Sequence, residues 1–161
     1  MEAVLLADRP DLIPTLAAAY RGEWPEWYGR GGPGDAEADL NERARRSGLP
    51  LGIVVVEQGE PVAALAITGP TIPGYEQLSP WLGGGWTHPD RRRQGIGALM
   101  IRAAVEQARE MGFKRLYVAT STAVSLMERE GWRLLEVAEH EGQPLSVFAL
   151  DLGRHDFGPP R

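Results

Sequence analysis

Cysteine is absent from all 161 residues, which excludes disulfides, a thiolate nucleophile and cysteine-ligated metal. No apolar run approaches the length of a membrane span. The opening stretch, M-E-A-V-L-L-A-D, has no basic n-region and too short an apolar run for export, so a cytoplasmic location is expected. Internal repeats are missing, and so is any linker that would divide the chain. A positive charge excess is missing too. The formal net charge of -5 excludes bulk nucleic-acid binding, which leaves the arginine cluster of residues 91–93 a local feature. The hydrophobic share of 43% and charged share of 24% are those of an ordinary globular chain. One domain over residues 1–152 is expected. Residues 153–161, with Gly158-Pro159-Pro160, are expected to form a disordered tail.

The chain is organised around residues 86–109, W-T-H-P-D-R-R-R-Q-G-I-G-A-L-M-I-R-A-A-V-E-Q-A-R. Trp86-Thr87-His88 reads as the end of a strand, and Pro89 stops ladder pairing because it has no N–H. A basic turn, Arg91-Arg92-Arg93-Gln94, leads to Gly95 and Gly97. Ile96, Leu99, Met100, Ala103, Ala104 and Ala108 then fall on one helical face. A strand, a glycine turn and a helix N-terminus in that order make an anion site. The first helical N–H groups lack intrahelical partners, and the helix dipole adds partial positive charge. Forked arginine donors suit phosphate. A P-loop is excluded because Ala98-Leu99, not Lys-Ser or Lys-Thr, follows Gly97. A dinucleotide fingerprint fits only by half, since Met100 stands where its third glycine would be. The plain alternative is a basic turn capping an ordinary amphipathic helix.

Around this stretch the pattern predicts mixed α/β structure, mostly antiparallel, with a parallel strand pair joined through the long helix. A strand is expected over 2–7, and a helix follows with Asp8 as N-cap and Pro10 in its first turn, although Pro14 requires that the helix start close to it. Glu23-Trp24-Pro25-Glu26-Trp27-Tyr28 reads as an aromatic turn that closes one end of the core or lines a substrate mouth. A polar helix over 35–47 ends at Gly48, with Arg43, Arg45 and Arg46 on a solvated face. Strands follow over 51–57 and 62–68, joined by Gln58-Gly59-Glu60. A Gly/Pro-rich loop covers 69–77. The strand over 78–87 contains Gly83-Gly84-Gly85, which marks a bulge or a close ligand approach and frees backbone groups for an extended ligand. The second half predicts a strand over 115–120, a short helix over 123–130 capped by Ser121-Thr122, a strand over 132–140, a turn through Pro144 and a strand over 145–152.

Two blocks carry a family resemblance. Arg92-Arg93-Gln94-Gly95-Ile96-Gly97, read as R/Q-x-x-G-x-G/A, resembles the acetyl-CoA pyrophosphate loop of the GNAT family of N-acetyltransferases. T-S-T-A-V-S-L-M-E-R-E-G-W over 120–132 is similar to that family's N-x-x-A-x-x-L-Y-E-K-x-G-F/W block. The second block matches at Ala123, Leu126, Glu128, Arg129 (a basic equivalent), Gly131 and Trp132. Leu78-Ser79-Pro80-Trp81-Leu82 with Glu23-Trp24 also resembles a bacterial branch akin to the actin N-terminal acetyltransferases, and no substrate is carried over from it. The resemblance spans residues 49–152. It implies an α/β (α+β) fold with a mixed, mostly antiparallel seven-stranded sheet and about four flanking helices. It also implies acetyl-CoA as co-substrate, an acetyl group moved to a primary amine of a small molecule or peptide by direct attack, and no metal.

Site residues follow from the resemblance. Gly85, Trp86 and Thr87 are expected to pair with pantetheine. The N–H groups of Gln94, Gly95, Ile96, Gly97 and Ala98 are expected to take the pyrophosphate, assisted by Arg92 and Arg93, while Arg91 stays solvated. Thr120 stands where the family often has a pantetheine-binding Asn. Met127 stands where it often has the Tyr that protonates the departing thiolate, and a thioether cannot donate a proton. Ser125 is the first substitute, with Ser121 and Thr122 behind it. Glu76 leads the candidate bases, ahead of Glu26 and His88, because an alkyl ammonium must lose a proton before it attacks. The acidic balance leans towards a cationic acceptor. Edge pairing through the last strands would make a homodimer, and neither nucleic acid nor membrane is expected as a partner. A catalytically silent acyl-CoA-binding or regulatory module is the alternative, motivated by Met127.

Overall fold

Two tight turns set the hairpins. Gln58 and Gly59 have φ of 52° and 82°, and Glu141 and Gly142 have 52° and 80°. Positive φ at both central residues gives the two-residue turn whose twist matches paired strands. The strands therefore run up to the turns. β2 is Leu51–Glu57 and β3 Glu60–Thr68; β6 is Arg133–His140 and β7 Gln143–Asp151. Pro144, expected in the turn, lies in β7 opposite Glu139. Pairing of β7 with the strand on its other side, β5 (Arg115–Thr120), begins at Ser146, so the missing N–H of Pro144 breaks no ladder there.

The structure is a computed structural model that describes residues 1–70 and 72–153. Of the expected disordered tail, residues 154–161 lie outside the described residues. With β1 (Glu2–Leu5) and β4 (Trp81–Thr87), the strands form a seven-stranded sheet in the order β1-β2-β3-β4-β5-β7-β6. β4 and β5 pair in parallel, with Trp81 opposite Tyr117, whereas β1–β2, β5–β7 and β6–β7 pair antiparallel. The helices are α1 (Ile13–Glu23), α2 (Pro25–Tyr28), α3 (Ala36–Arg43), α4 (Ile96–Glu110) and α5 (Val124–Arg129). The fold is the mixed sheet expected, with five helices among the described residues rather than about four. The addition is α2, one turn begun by Pro25 within the aromatic segment.

The described residues gather into two compact units, the first of Met1–Ala66 and Gly84–Ala103, the second of Ile67–Gly83 and residues 104–153. In the first, Leu12, Ile13, Leu16, Ala17 and Tyr20 bury one face of α1 against Ala36 and Leu40 of α3 and Val54, Val56, Ala64 and Trp86 of the strands. β2 is buried at six successive positions, as a strand covered on both faces must be. In the second, Trp81, Tyr117, Val147 and Ala149 form the core, with Ile72, Tyr75 and Leu78 packed on it.

Several boundaries differ from expectation. β1 stops at Leu5 because 3₁₀ turns, Leu6–Asp8 and Pro10–Leu12, replace the first part of the expected helix. Asp8 caps nothing and instead pairs with Arg46. α3 starts where expected, with the Asp35 carboxylate accepting from Ala38 N–H at 3.0 Å, but ends at Arg43 and not near Gly48. α5 has Ala123 at its N-cap position and no side-chain cap, neither Ser121 nor Thr122. Thr120 Oγ1 instead accepts the N–H groups of Thr122 (3.2 Å) and Ala123 (2.9 Å) in the turn before the helix.

Candidate functional site

The turn between β4 and α4 is built by its own side chains. His88 Nδ1 accepts the Asp90 N–H at 3.1 Å, which gives His88 a structural task at the 3₁₀ turn Pro89–Arg91. Gln94 Oε1 accepts from Arg91 Nε at 3.0 Å, and Gln94 Nε2 donates to the Asp90 carbonyl at 3.3 Å. Arg93 has φ 65° and Gly95 has φ 81°. Left-handed residues placed this close turn successive N–H groups towards one concavity, an arrangement suited to anions. Beyond it, the first intrahelical acceptors are the carbonyls of Gly95 and Ile96. Among the described residues, none of the N–H groups of residues 94–98 donates to a partner. Arg93, Gln94 and Gly95 are exposed, whereas Ile96 is buried and anchors the helix start.

The three arginines divide their tasks. Arg91, expected to stay solvated, is half-buried in an ion pair with Glu57 at the end of β2. Arg92 donates from Nε to the Thr87 carbonyl at 3.0 Å and pairs through Nη2 with Glu23 of α1 at 2.8 Å. Arg93 has no side-chain partner among the described residues and is the cation left free at the turn. The Arg92–Glu23 pair is partly exposed and worth less than about 1 kcal/mol, so it can open.

β4 leaves extended geometry within its glycine run. Gly84 adopts φ 63°, and its carbonyl accepts the Tyr20 hydroxyl at 3.0 Å. Trp86 is buried in the first core, Thr87 is half-buried, and Gly85 is exposed. Tyr20 meets Trp24 edge-on at 5.0 Å and Tyr28 at 6.0 Å, so Trp24 and Tyr28 close the core, whereas Trp27 is exposed. A cavity of about 780 Å³ opens beside the turn, lined by Thr15, Ala19, Trp86 and His88, with Glu23, Glu57, Glu60 and Asp90 contributing carboxylates.

The remaining candidates belong to the second unit. Thr120 spends its oxygen as an acceptor in the turn before α5, and its hydroxyl proton is still available to donate. Met127 is buried and Ser125 exposed on α5. Glu76 is exposed, and its Oε2 accepts the Gly74 N–H at 3.1 Å. That backbone bond holds its carboxyl below the usual carboxylate range, opposite to the shift that strengthens a base.

A family model for the acetyltransferase (GNAT) family matches residues 15–132. The chain belongs to the GNAT acetyltransferases. Among solved GNAT-fold structures, an aminoglycoside 6'-N-acetyltransferase complexed with coenzyme A superposes with a TM-score of 0.77 at 16% identity, over 98% of this chain and 100% of that one. The yncA protein of Salmonella typhimurium, solved with its cofactor acetyl-CoA, superposes with 0.74 at 15% identity, over 100% of this chain and 99% of that one. At such identities these likenesses concern the fold. The amino-acid acetyltransferase of Pasteurella multocida (strain Pm70) is 31% identical over 52 residues, 32% of this chain and only 12% of that protein.

The turn of this GNAT chain was readable from its sequence, but its partners were not. Arg43, expected on a solvated face, buries its guanidinium Nη1 against β4. A signal for it existed. Gly52 stands inside β2, just before its β-branched run Ile53-Val54-Val55-Val56, and a glycine inside a strand marks a close approach. Here the approaching group is Arg43 itself, whose Cβ would lie 3.1 Å from a Cβ at Gly52.

Proposed function

We propose that this GNAT protein moves the acetyl group of acetyl-CoA to a primary amine by direct attack in a ternary complex. One observation carries the reading: the unpartnered amides of residues 94–98 at the start of a 15-residue helix, with Arg93 free beside them. A diphosphate is the ligand that matches several converging N–H donors, a helix dipole and one guanidinium. Gln94, Gly95, Ile96, Gly97 and Ala98 hold it through the backbone. Arg93 supplies the charge, and Arg92 joins once its pair with Glu23 opens. Gly85, Trp86 and Thr87 offer pantetheine the β4 backbone, although Arg92 already occupies the Thr87 carbonyl. Thr120 and Met127 are assigned to the pantetheine arm by the family resemblance alone.

In the reaction the amine lone pair forms a C–N bond at the thioester carbon. The carbonyl pair moves onto oxygen and returns as the C–S bond breaks. The sulfur leaves with its electron pair, and the amine proton passes to water or a base. Positioning supplies much of the acceleration. A β4 N–H aimed at the oxygen supplies more. Ser125 is the thiolate's proton source in this scheme. With its carboxyl lowered, Glu76 accepts the amine proton only weakly. The acceptor is a small-molecule or peptide amine, and Glu60 and Asp90, the cavity carboxylates not paired with an arginine among the described residues, favour a cationic one. The protein acts as a homodimer joined at the edge strand β6, where Leu134, Leu135 and Val137 are exposed.

Calorimetric titration with acetyl-CoA tests the reading, with a Kd between micromolar and millimolar expected, roughly 4 to 8 kcal/mol of binding. No heat across that range would refute it. The buried thioether of Met127 favours a second reading, a silent acyl-CoA-binding module. Thiol release from acetyl-CoA across a panel of amines separates the two, because turnover with any acceptor rules the module out.

A further inference from the structure

Arg43, the last residue of α3, lies in a slot cleared by two glycines. A Cβ added at Gly52 of β2 would stand 3.1 Å from Arg43 Cβ, and one added at Gly84 of β4 would stand 2.8 Å from Arg43 Nη1. That Nη1 is buried and has no hydrogen-bond partner among the described residues. Asp39, one turn earlier on α3, is occupied by the Tyr28 hydroxyl at 2.7 Å. Burying a guanidinium with an unmet N–H costs free energy, so a place made for one calls for an explanation.

The explanation lies at Gly84. Its left-handed φ of 63° turns the β4 backbone at this point, and its carbonyl accepts the Tyr20 hydroxyl at 3.0 Å. The carbonyl of Gly84 and the N–H of Gly85 belong to a single peptide group. A donor on that oxygen, with a cation beside it, draws electron density towards the oxygen and makes the N–H at the other end a stronger donor. Tyr20 is only 1% exposed. Burial raises its phenol to about 12 against the opposing pull of Arg43, so the hydroxyl keeps its proton at neutral pH.

We infer that Tyr20 and Arg43 are positioning residues that hold and polarise the Gly84–Gly85 peptide, so that the Gly85 N–H meets the thioester oxygen as it becomes an oxyanion. The inference rests on the acetyltransferase reading above. It goes further by giving two side chains from α1 and α3 a part in a step performed by the backbone of β4.

The test compares Tyr20→Phe, Arg43→Met and Arg43→Lys with the wild type. It uses calorimetry with acetyl-CoA and with CoA, kcat and KM with an amine that turns over, and the thermal midpoint of each variant. Tyr20→Phe and Arg43→Met are expected to lower kcat about tenfold, less than loss of a direct oxyanion donor, with KM for the amine nearly unchanged. They should also narrow the affinity gap between acetyl-CoA and CoA, a readout that needs no acceptor. Arg43→Lys keeps the charge and should recover most of kcat. An unchanged kcat and affinity gap would overturn the inference, as would equal losses for both nucleotides alongside a fallen midpoint. If Arg43→Met does not fold, Tyr20→Phe carries the test, because its ring keeps its place in the core. A wild type that binds neither nucleotide defeats the acetyltransferase reading and the inference with it. Wild-type binding with indifferent variants defeats the inference alone.

Discussion

Tyr20 shows how a core residue acquires a pH dependence. An unfolded phenol ionises near 10, while burial raises the folded Tyr20 to about 12. Between those values the folded chain holds a proton that the unfolded chain has shed. The stabilisation is therefore full below pH 10 and lost as pH climbs through 12, on the order of 2–3 kcal/mol in all. Urea unfolding at alkaline pH should show the wild type losing stability faster with rising pH than Tyr20→Phe. Parallel slopes for the two proteins would contradict the burial argument. Tyr28 is raised to about 12 as well, by burial first and then by Asp39, but its greater exposure makes its share smaller. Sequence periodicity placed Tyr20 in the core. Its bond to a carbonyl 64 residues away was beyond any local pattern.

α4 and the turn before it were legible because their determinants are local. Glycine conformations, the missing N–H of Pro89 and the apolar spacing from Ile96 to Ala108 all act within a few residues of one another. The buried stripe, Ile96, Met100, Ile101, Ala104, Val105 and Ala108, keeps that period but is turned towards Ile101 and Val105, which leaves the expected Leu99 and Ala103 half-buried. Gly97→Glu should abolish acetyl-CoA binding by setting a carboxylate among the amides of the turn, with calorimetry as the check; undiminished affinity would show that they hold no diphosphate. α3 offers a second test at this scale. Asp35→Ala removes the bond to the Ala38 N–H and should cost about 1 kcal/mol in chemical denaturation. Because Arg43 lies at the other end of the same short helix, fraying from the uncapped end should also loosen the Arg43 slot. Where α3 ends was not legible. Its polar pattern continued towards Gly48, but the backbone turns away at Ala44, just where β2's Gly52 admits Arg43.

For the whole molecule, strand order decides which surfaces are left open. β6 ends the sheet, and seven of its eight residues are exposed. An edge strand bearing Leu134, Leu135 and Val137 in contact with water is a template for pairing with another chain. Sedimentation at rising concentration should show a dimer that Val137→Lys dissociates; a wild type that stays monomeric would remove the edge from consideration. Among the described residues no helix is long and apolar enough to cross a membrane. The sheet itself was foreseeable from alternating strand and helix patterns, and its parallel β4–β5 step from the long helix between them.

By itself the sequence determined the turns, the helix that follows the basic loop, the break from extended geometry in the β4 glycine run and the family motifs. Each depends on residues near in the chain, where steric limits and hydrogen-bond supply act directly. Only the tertiary structure decided which arginine stays free, how Thr120 is used and where Arg43 is buried. Glu23 and Arg92, for instance, are 69 positions apart. Nothing in either segment names the other as a partner, and only packing of α1 beside the end of β4 brings the charges together.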